Sequence, residues 1–312
     1  MVILAAGLTP AWQHILIFPR LVPGEVNRAA EAVWCASGKV LNVACAVHHL
    51  VRPAPPTPHT SPARSRAAAV RTVCLIGGLT GEAIRRDFAA LGISARWVES
   101  SVPTRVCTTL LEQSTGQTTE LVENSAAVSA EDLSRFAAAF AEEARSAELI
   151  VVSGSLPRGT PPDYFLRLLE EVRCPVLLDV RGPELRACLP LKPWLVKPNR
   201  EELAATLGRR LDGDHDMMAA MEELRRAGAE YVVVSDGPRA VWAMGPDGVH
   251  RAEPPPVQVV NPIGSGDCLA AGLAVARVEG LPWREGLEFA LAAAADNAAH
   301  LLPARISRPK PW

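Results

Sequence analysis

No C-x-x-C pair occurs in this sequence, and its seven cysteines (Cys35, Cys45, Cys74, Cys107, Cys174, Cys188 and Cys268) are odd in number and scattered. That argues against a zinc site or a disulfide framework and makes a reducing cytoplasm the expected compartment. A basic surplus is missing as well: 32 Lys and Arg face 34 Asp and Glu, a formal net charge of -2. A non-specific nucleic-acid binder needs such a surplus, so no nucleic-acid partner is expected. No G-x-G-x-x-G follows an early strand, which disfavours a dinucleotide-binding dehydrogenase. The longest apolar stretch, near 286–303, is interrupted by Glu288, Asp296 and His300, so no bilayer span is expected. Met1 to Gly7 lacks a basic flank and leads straight to Pro10 and Trp12, so it reads as a first strand and not as a signal peptide.

What the chain does have is core material: 48% of its 312 residues are hydrophobic and 21% charged, without a signature of disorder. From about residue 70, short apolar runs alternate with amphipathic helical segments. Val73-Cys74-Leu75-Ile76 ends in Gly77-Gly78, Leu149 to Val152 in Ser153-Gly154-Ser155, and Val176-Leu177-Leu178 in Asp179. Trp194-Leu195-Val196 ends in Lys197-Pro198-Asn199, and Tyr231 to Val234 in Ser235-Asp236-Gly237. Unbroken runs of this kind suit strands buried on both faces, and the repeated βα units predict a single α/β domain over 1–312 with a doubly wound, mostly parallel sheet. Ligands of such sheets bind beyond the carboxyl ends of the strands, where Ser, Asp, Asn, Lys and Gly now stand.

Two regions break the alternation. Residues 20–35 and 104–123 show strand-like patterning, the second with a turn at Ser114-Thr115-Gly116-Gln117. They predict a small antiparallel β lid built from about 10–38 and 97–124. Pro53 to Pro58, continuing to Arg66, is Pro-rich with scattered Arg, so 52–70 is expected to be a surface insertion.

Three motifs carry chemistry. In Asn261-Pro262-Ile263-Gly264-Ser265-Gly266-Asp267, small residues permit a tight turn ahead of an Ala-rich helix running from Cys268 to Val275. Amides at that helix start would form an anion site for a phosphoryl group, with Asp267 placed to accept a proton. The same spacing suits a capping Asp behind a glycine turn. In Lys197-Pro198-Asn199-Arg200-Glu201-Glu202, Asn199 and Glu202 are three apart and share a helix face, offering hard oxygens to Mg²⁺ or, alternatively, a helix cap. Ser235-Asp236-Gly237-Pro238 ends a strand, as a nucleotide-pocket wall or as an ordinary turn.

The ordered conjunction of these motifs resembles the PfkB (ribokinase-like) carbohydrate kinases. The N-terminal half extends the likeness through Pro23 to Arg28, Ser37 to Ala44, Pro103-Thr104-Arg105, Thr118 to Leu121, and Val152 to Pro157. These look like the branch that contains 1-phosphofructokinase, tagatose-6-phosphate kinase and the minor 6-phosphofructokinase. The resemblance implies a catalytic base at Asp267 and an anion hole at Gly264, Ser265 and Gly266. It implies ATP and Mg²⁺ organised by Asn199 and Glu202, with Ser235, Gly237 and Asn297 beside the nucleotide. It further implies a sugar or sugar-phosphate substrate held by Gln13, Arg28, Gly38, Lys39, Asn42, Arg105 and Ser155, and a homodimer formed through the lid. Arginine is apt for the phosphate, because its guanidinium fork binds in bidentate fashion; for Arg28 a free surface arginine is the alternative.

Two departures from that pattern concern the acceptor. Relatives usually carry an Asp where this chain has Gln13, which bonds hydroxyls but carries no charge. They carry Gly where this chain has Val40, predicting extra bulk where the backbone approaches the sugar, and Trp12 is expected to crowd the same pocket. The implied activity is ATP-dependent phosphorylation of a sugar-phosphate hydroxyl. An unphosphorylated sugar or nucleoside acceptor, or an impaired nucleotide- or sugar-binding relative, is the alternative.

Overall fold

The computed structural model describes residues 1–51 and 69–307. The expected surface insertion at 52–70 falls outside them except for its last two residues, which start a strand. In chain order the elements are β1 (Val2–Gly7), β2 (Ala11–Phe18), β3 (Glu31–Ser37), α1 (Lys39–Val51), β4 (Ala69–Ile76), α2 (Gly78–Leu91) and β5 (Ala95–Glu99). β6 (Val106–Glu112), β7 (Thr118–Val122), α3 (Ala130–Ala144), β8 (Leu149–Ser153), α4 (Tyr164–Leu169), β9 (Val176–Asp179) and α5 (Gly182–Cys188) follow. The chain continues through β10 (Leu195–Val196), α6 (Arg200–Leu207), α7 (Asp214–Arg226), β11 (Tyr231–Val234), β12 (Val241–Gly245), β13 (Gly248–Ala252), α8 (Ser265–Glu279) and α9 (Trp283–Ala298).

The apolar runs form the centre of a nine-stranded sheet in the order β13-β12-β11-β10-β9-β8-β1-β4-β5. From β11 to β5 every pairing is parallel, and the β12–β13 hairpin adds an antiparallel edge. Side chains alternate across the sheet. Along β1, Ile3 and Ala5 join a core with α1, α8 and α9, whereas Leu4 and Ala6 join Phe136, Phe140, Phe165 and Met217 of the opposite helical layer. At the start of α3, Ser129 and Asp132 make a reciprocal capping box. This is the expected doubly wound α/β sheet with helices on both faces.

A second sheet, in the order β3-β2-β6-β7, covers the carboxyl edge of the first. Its outer pairs are antiparallel, and β2 and β6 join them through a parallel centre. The lid is narrower than its predicted segments. Residues 20–30 form a loop instead of a strand, because Asn27 clamps the chain by accepting from the Val22 amide at 2.8 Å and donating to its carbonyl at 2.9 Å. Residues 97–99 belong to β5, which pairs with β4 in the main sheet.

Candidate active site

Between the strand ends and the lid lies a cleft of about 460 Å³. The sequence places a different polar group at each strand end, and the parallel topology brings them to one edge. Asp179 closes β9, Lys197 and Asn199 follow β10, and Ser235 follows β11.

At the start of α8, Gly264 takes φ 87°, a left-handed conformation that a side chain disfavours. The turn sorts its amides. Ile263 donates to Asn261 Oδ1, Ser265 to the Pro262 carbonyl, and Asp267 and Cys268 to the Gly264 carbonyl. The amides of Gly264 and Gly266 have no acceptor among the described residues, and both glycines line the cleft. They are the donors that a helix N-terminus offers an anion. Ser265 is turned the other way, its hydroxyl accepting from Asn297 at 3.0 Å.

Asp267, in the first turn of α8, is buried, and its Oδ2 accepts from Asn42 Nδ2 at 2.7 Å. Asn42 is in turn held by the Ser37 hydroxyl at 3.1 Å. Burial raises the Asp267 pKa to about 7, with the charge of Asp179 adding to the rise and Lys39, Asn42 and Lys197 opposing it.

Asp179 is fully buried, and its Oδ1 meets Lys39 Nζ at 3.1 Å and Lys197 Nζ at 3.2 Å. Burial alone would raise its pKa; the two ammonium groups override that and hold it below the ordinary carboxylate range. Lys39 also reaches Glu202 Oε1 at 2.9 Å. For Lys39, burial pulls downward, and Asp179 and Glu202 more than compensate, so it stays charged. Asn199 and Glu202 cap α6 reciprocally, at 2.7 Å from the Glu202 amide and 3.0 Å from the Asn199 amide. The helix-cap alternative is realised for this pair, and both residues also line the cleft.

The lid supplies the other wall. Gln13 is buried and donates through Nε2 to Thr109 Oγ1 at 2.8 Å. Arg105 lines the cleft but spends its guanidinium on the carbonyls of Thr9, Pro10 and Glu123. Gly38 and Ser155 line it too, the Ser155 carbonyl accepting from the Thr9 hydroxyl at 3.0 Å. Arg28 is exposed on the 20–30 loop and does not reach the cleft.

Four expectations need correction. Val40 does not enter the acceptor pocket: it is buried against β1, where a Cβ on Gly7 would lie 2.8 Å from the Val40 Cβ. Trp12 points to the outer lid face and stacks on Trp34 with centroids 5.9 Å apart, because adjacent strand residues face opposite ways. Asn297 is buried behind the Gly264 turn and not beside an open nucleotide pocket. Gly237 holds a turn with φ 59° and lies off the cleft, whereas Ser235 lines it.

Residues 11–302 match the pfkB family carbohydrate kinases. The chain belongs to this family of sugar kinases. Its fold is similar to phosphofructokinase-2 from Escherichia coli in complex with substrates and products, with TM-score 0.84, 25% identity and coverage of 98% of this chain and 95% of that one. The same enzyme in complex with fructose-6-phosphate matches at TM-score 0.80 and 26% identity, over 96% and 93% of the two chains. A possible 1-phosphofructokinase from Thermotoga maritima shares the fold at TM-score 0.83 and 19% identity, over 96% and 92%.

Within this pfkB kinase, sequence reasoning missed three cleft residues. Asp179 and Lys197 were visible as strand-end residues without an assigned task; only the parallel register of β9 and β10 pairs them. Glu120 faces the cleft from β7, opposite Thr109, and its placement depends on lid register alone. Burial raises its pKa, against the pull of Arg105.

Proposed function

We propose that this kinase transfers the γ-phosphoryl group of ATP to a hydroxyl of a phosphorylated sugar, of the fructose-1-phosphate, tagatose-6-phosphate or fructose-6-phosphate type. The observation that carries the reading is Asp267 standing next to the two unclaimed amides of Gly264 and Gly266, opposite the Asn199–Glu202 cap. In the reaction the acceptor oxygen bonds to the γ-phosphorus, the bond to the β-bridging oxygen breaks, ADP departs and the hydroxyl proton passes to Asp267. The transition state is loose, so positioning and charge stabilisation outweigh base strength. A base with a pKa of about 7 is nonetheless better matched to neutral pH than an ordinary carboxylate. Gly264 and Gly266 bind the migrating group, and Lys39 and Lys197 supply positive charge beside it.

Mg²⁺ fits the same end. Asp179 Oδ2 is buried without a hydrogen-bond partner, and Glu202 brings a second hard oxygen, which suits an ion that keeps several waters and takes its other ligands from phosphates. When bound there, such an ion would neutralise charge on the phosphates. Asn199 orients Glu202 for it through the cap.

Unphosphorylated acceptors form a second reading, favoured by one feature: Arg105 is committed to carbonyls and Arg28 is remote, while Glu120 puts a carboxylate on the acceptor wall. A panel of free and phosphorylated sugars with labelled ATP separates the two: labelled sugar bisphosphate formed from a phosphorylated acceptor is expected, and labelled monophosphate formed from a free sugar would favour the second reading. Label released to water with no phosphorylated acceptor would favour an impaired relative.

The outer lid face carries Trp34 and Leu121, 45% and 54% exposed, beside Trp12 and His14. An apolar face of this kind supports a homodimer through the lid; one solved form of phosphofructokinase-2 from Escherichia coli is a tetramer. No helix among the described residues is long and apolar enough to cross a membrane, and all seven cysteines are free thiols, in keeping with a cytoplasmic enzyme.

A further inference from the structure

Asn297 sits in the last turn of α9, fully buried. Its Nδ2 donates to the Ile263 carbonyl at 2.9 Å and to the Ser265 hydroxyl at 3.0 Å. Its Oδ1 accepts from the Ala304 amide at 2.7 Å, with the Cys268 thiol 3.5 Å away. Both amide hydrogens and the carbonyl are thereby engaged, so this carboxamide has no donor left for a ligand.

The residues it grips flank Gly264, one of the two glycines whose amides are unclaimed. From the other side the turn is backed by the segment after α9. Asn261 donates to the Leu301 carbonyl at 2.8 Å, and Pro303 packs so close that a Cβ on Gly264 would lie 3.1 Å from it. Leu301 and Leu302 pack under the lid on Ile15, Cys35 and Leu111. Ala304, buried, holds a left-handed φ of 59°, which alanine adopts only when its surroundings impose it, and the bond to Asn297 is one of the contacts that do.

We infer that Asn297 is a positioning residue for phosphoryl transfer: it fixes the direction in which the Gly264 and Gly266 amides point. The inference rests on the reading of this turn as the phosphoryl site. Donors act on developing charge only when aimed in advance, and a small misplacement of such a group costs rate out of proportion to binding.

Asn297→Asp tests it, since the variant keeps the shape and the acceptor for Ala304 but removes the donors to Ile263 and Ser265. The expected result is a fall in kcat of about 10- to 10²-fold. The affinity for MgADP plus aluminium fluoride, a mimic of the migrating group, falls by the same factor, while the Kd of MgADP alone stays within about threefold. The proposal is overturned if kcat and fluoride-complex affinity both remain within about twofold of wild type in folded protein. It is equally overturned if MgADP affinity falls as far as kcat, which would mark a direct nucleotide contact. Should N297D fail to fold, Ser265→Ala, which deletes only the hydroxyl that Asn297 holds, carries the same measurements, with a fall of about three- to tenfold expected. Wild-type protein that neither phosphorylates a sugar nor binds the MgADP–aluminium fluoride complex would remove the underlying reading before any variant is compared.

Discussion

At one end of the cleft, Asp267, Asp179, Lys39, Lys197 and Glu202 arrive from four separate stretches of the main α/β layer; the last four hold one another through contacts of 2.9–3.2 Å, and Asp267, bonded to Asn42, lies in their field. At the other end, Gln13, Thr109, Cys107 and Glu120 stand on one face of the small lid sheet, and the Gln13–Thr109 bond ties its strands β2 and β6 through their side chains. The first end is over-determined: displacing one charge leaves another buried group uncompensated. The second is a pleated surface on which a substitution changes one side chain and little else. Chemistry is therefore fixed where elements converge, and acceptor choice is left to a surface that tolerates exchange.

Asp267→Asn breaks the converged end most severely. Turnover should drop by about 10²–10⁴-fold in a steady-state ATP-coupled assay. The same variant should melt higher than wild type at pH 8. A carboxyl whose folded pKa stands at about 7, above its unfolded value, destabilises the fold once both states are ionised, and this penalty shrinks as pH falls through 7 toward the unfolded pKa. The gain in melting temperature should therefore be smaller at pH 5. Unchanged turnover, or a variant less stable at pH 8 than at pH 5 relative to wild type, would contradict the assignment.

The pH profile sharpens the point. Wild-type kcat/KM should lose about tenfold per pH unit below an acid limb near 7. Asp179→Asn removes a like charge from beside Asp267, so the limb should move to lower pH; Lys39→Met removes an opposing cation, so it should move to higher pH. Limbs that coincide in all three proteins would mean that Asp267 is not the group observed.

How much of this was legible beforehand follows the same division. The buried strands, the carboxyl-end location and the 261–267 turn could be read because each is a local pattern: an unbroken apolar run, a polar residue ending it, small residues before a helix. The Asn199–Glu202 pair was legible for the same reason, its members being three residues apart on one helical turn. Asp179 with Lys197, and Glu120 with Gln13, were not, since strand register and lid pairing join residues 18 and 107 positions apart. Val40 and Trp12 were misjudged on orientation. A one-residue step along a helix or strand decides whether a side chain faces cleft or core, and sequence likeness carries no sign of which.

The lid end should answer more gently. Glu120→Gln is expected to change the KM for the acceptor by about three- to tenfold with kcat altered less than threefold, because it touches ground-state binding at one rim of the cleft. A kcat loss comparable to that of D267N would erase the contrast between the two ends.

Val40→Gly separates orientation from composition. If Val40 pressed on the acceptor, restoring glycine would lower the acceptor KM. Packed instead against Gly7 in the main core, the valine fills space that the missing Cβ of Gly7 leaves open. Its removal should leave the acceptor KM within about twofold and destabilise the protein by roughly 2–4 kcal/mol, from a cavity plus a glycine in the first turn of α1. Chemical denaturation and acceptor titration on the same preparation decide between the two. Bulk at this position then acts on the stability of the scaffold, and differences in acceptor choice must originate on the lid face.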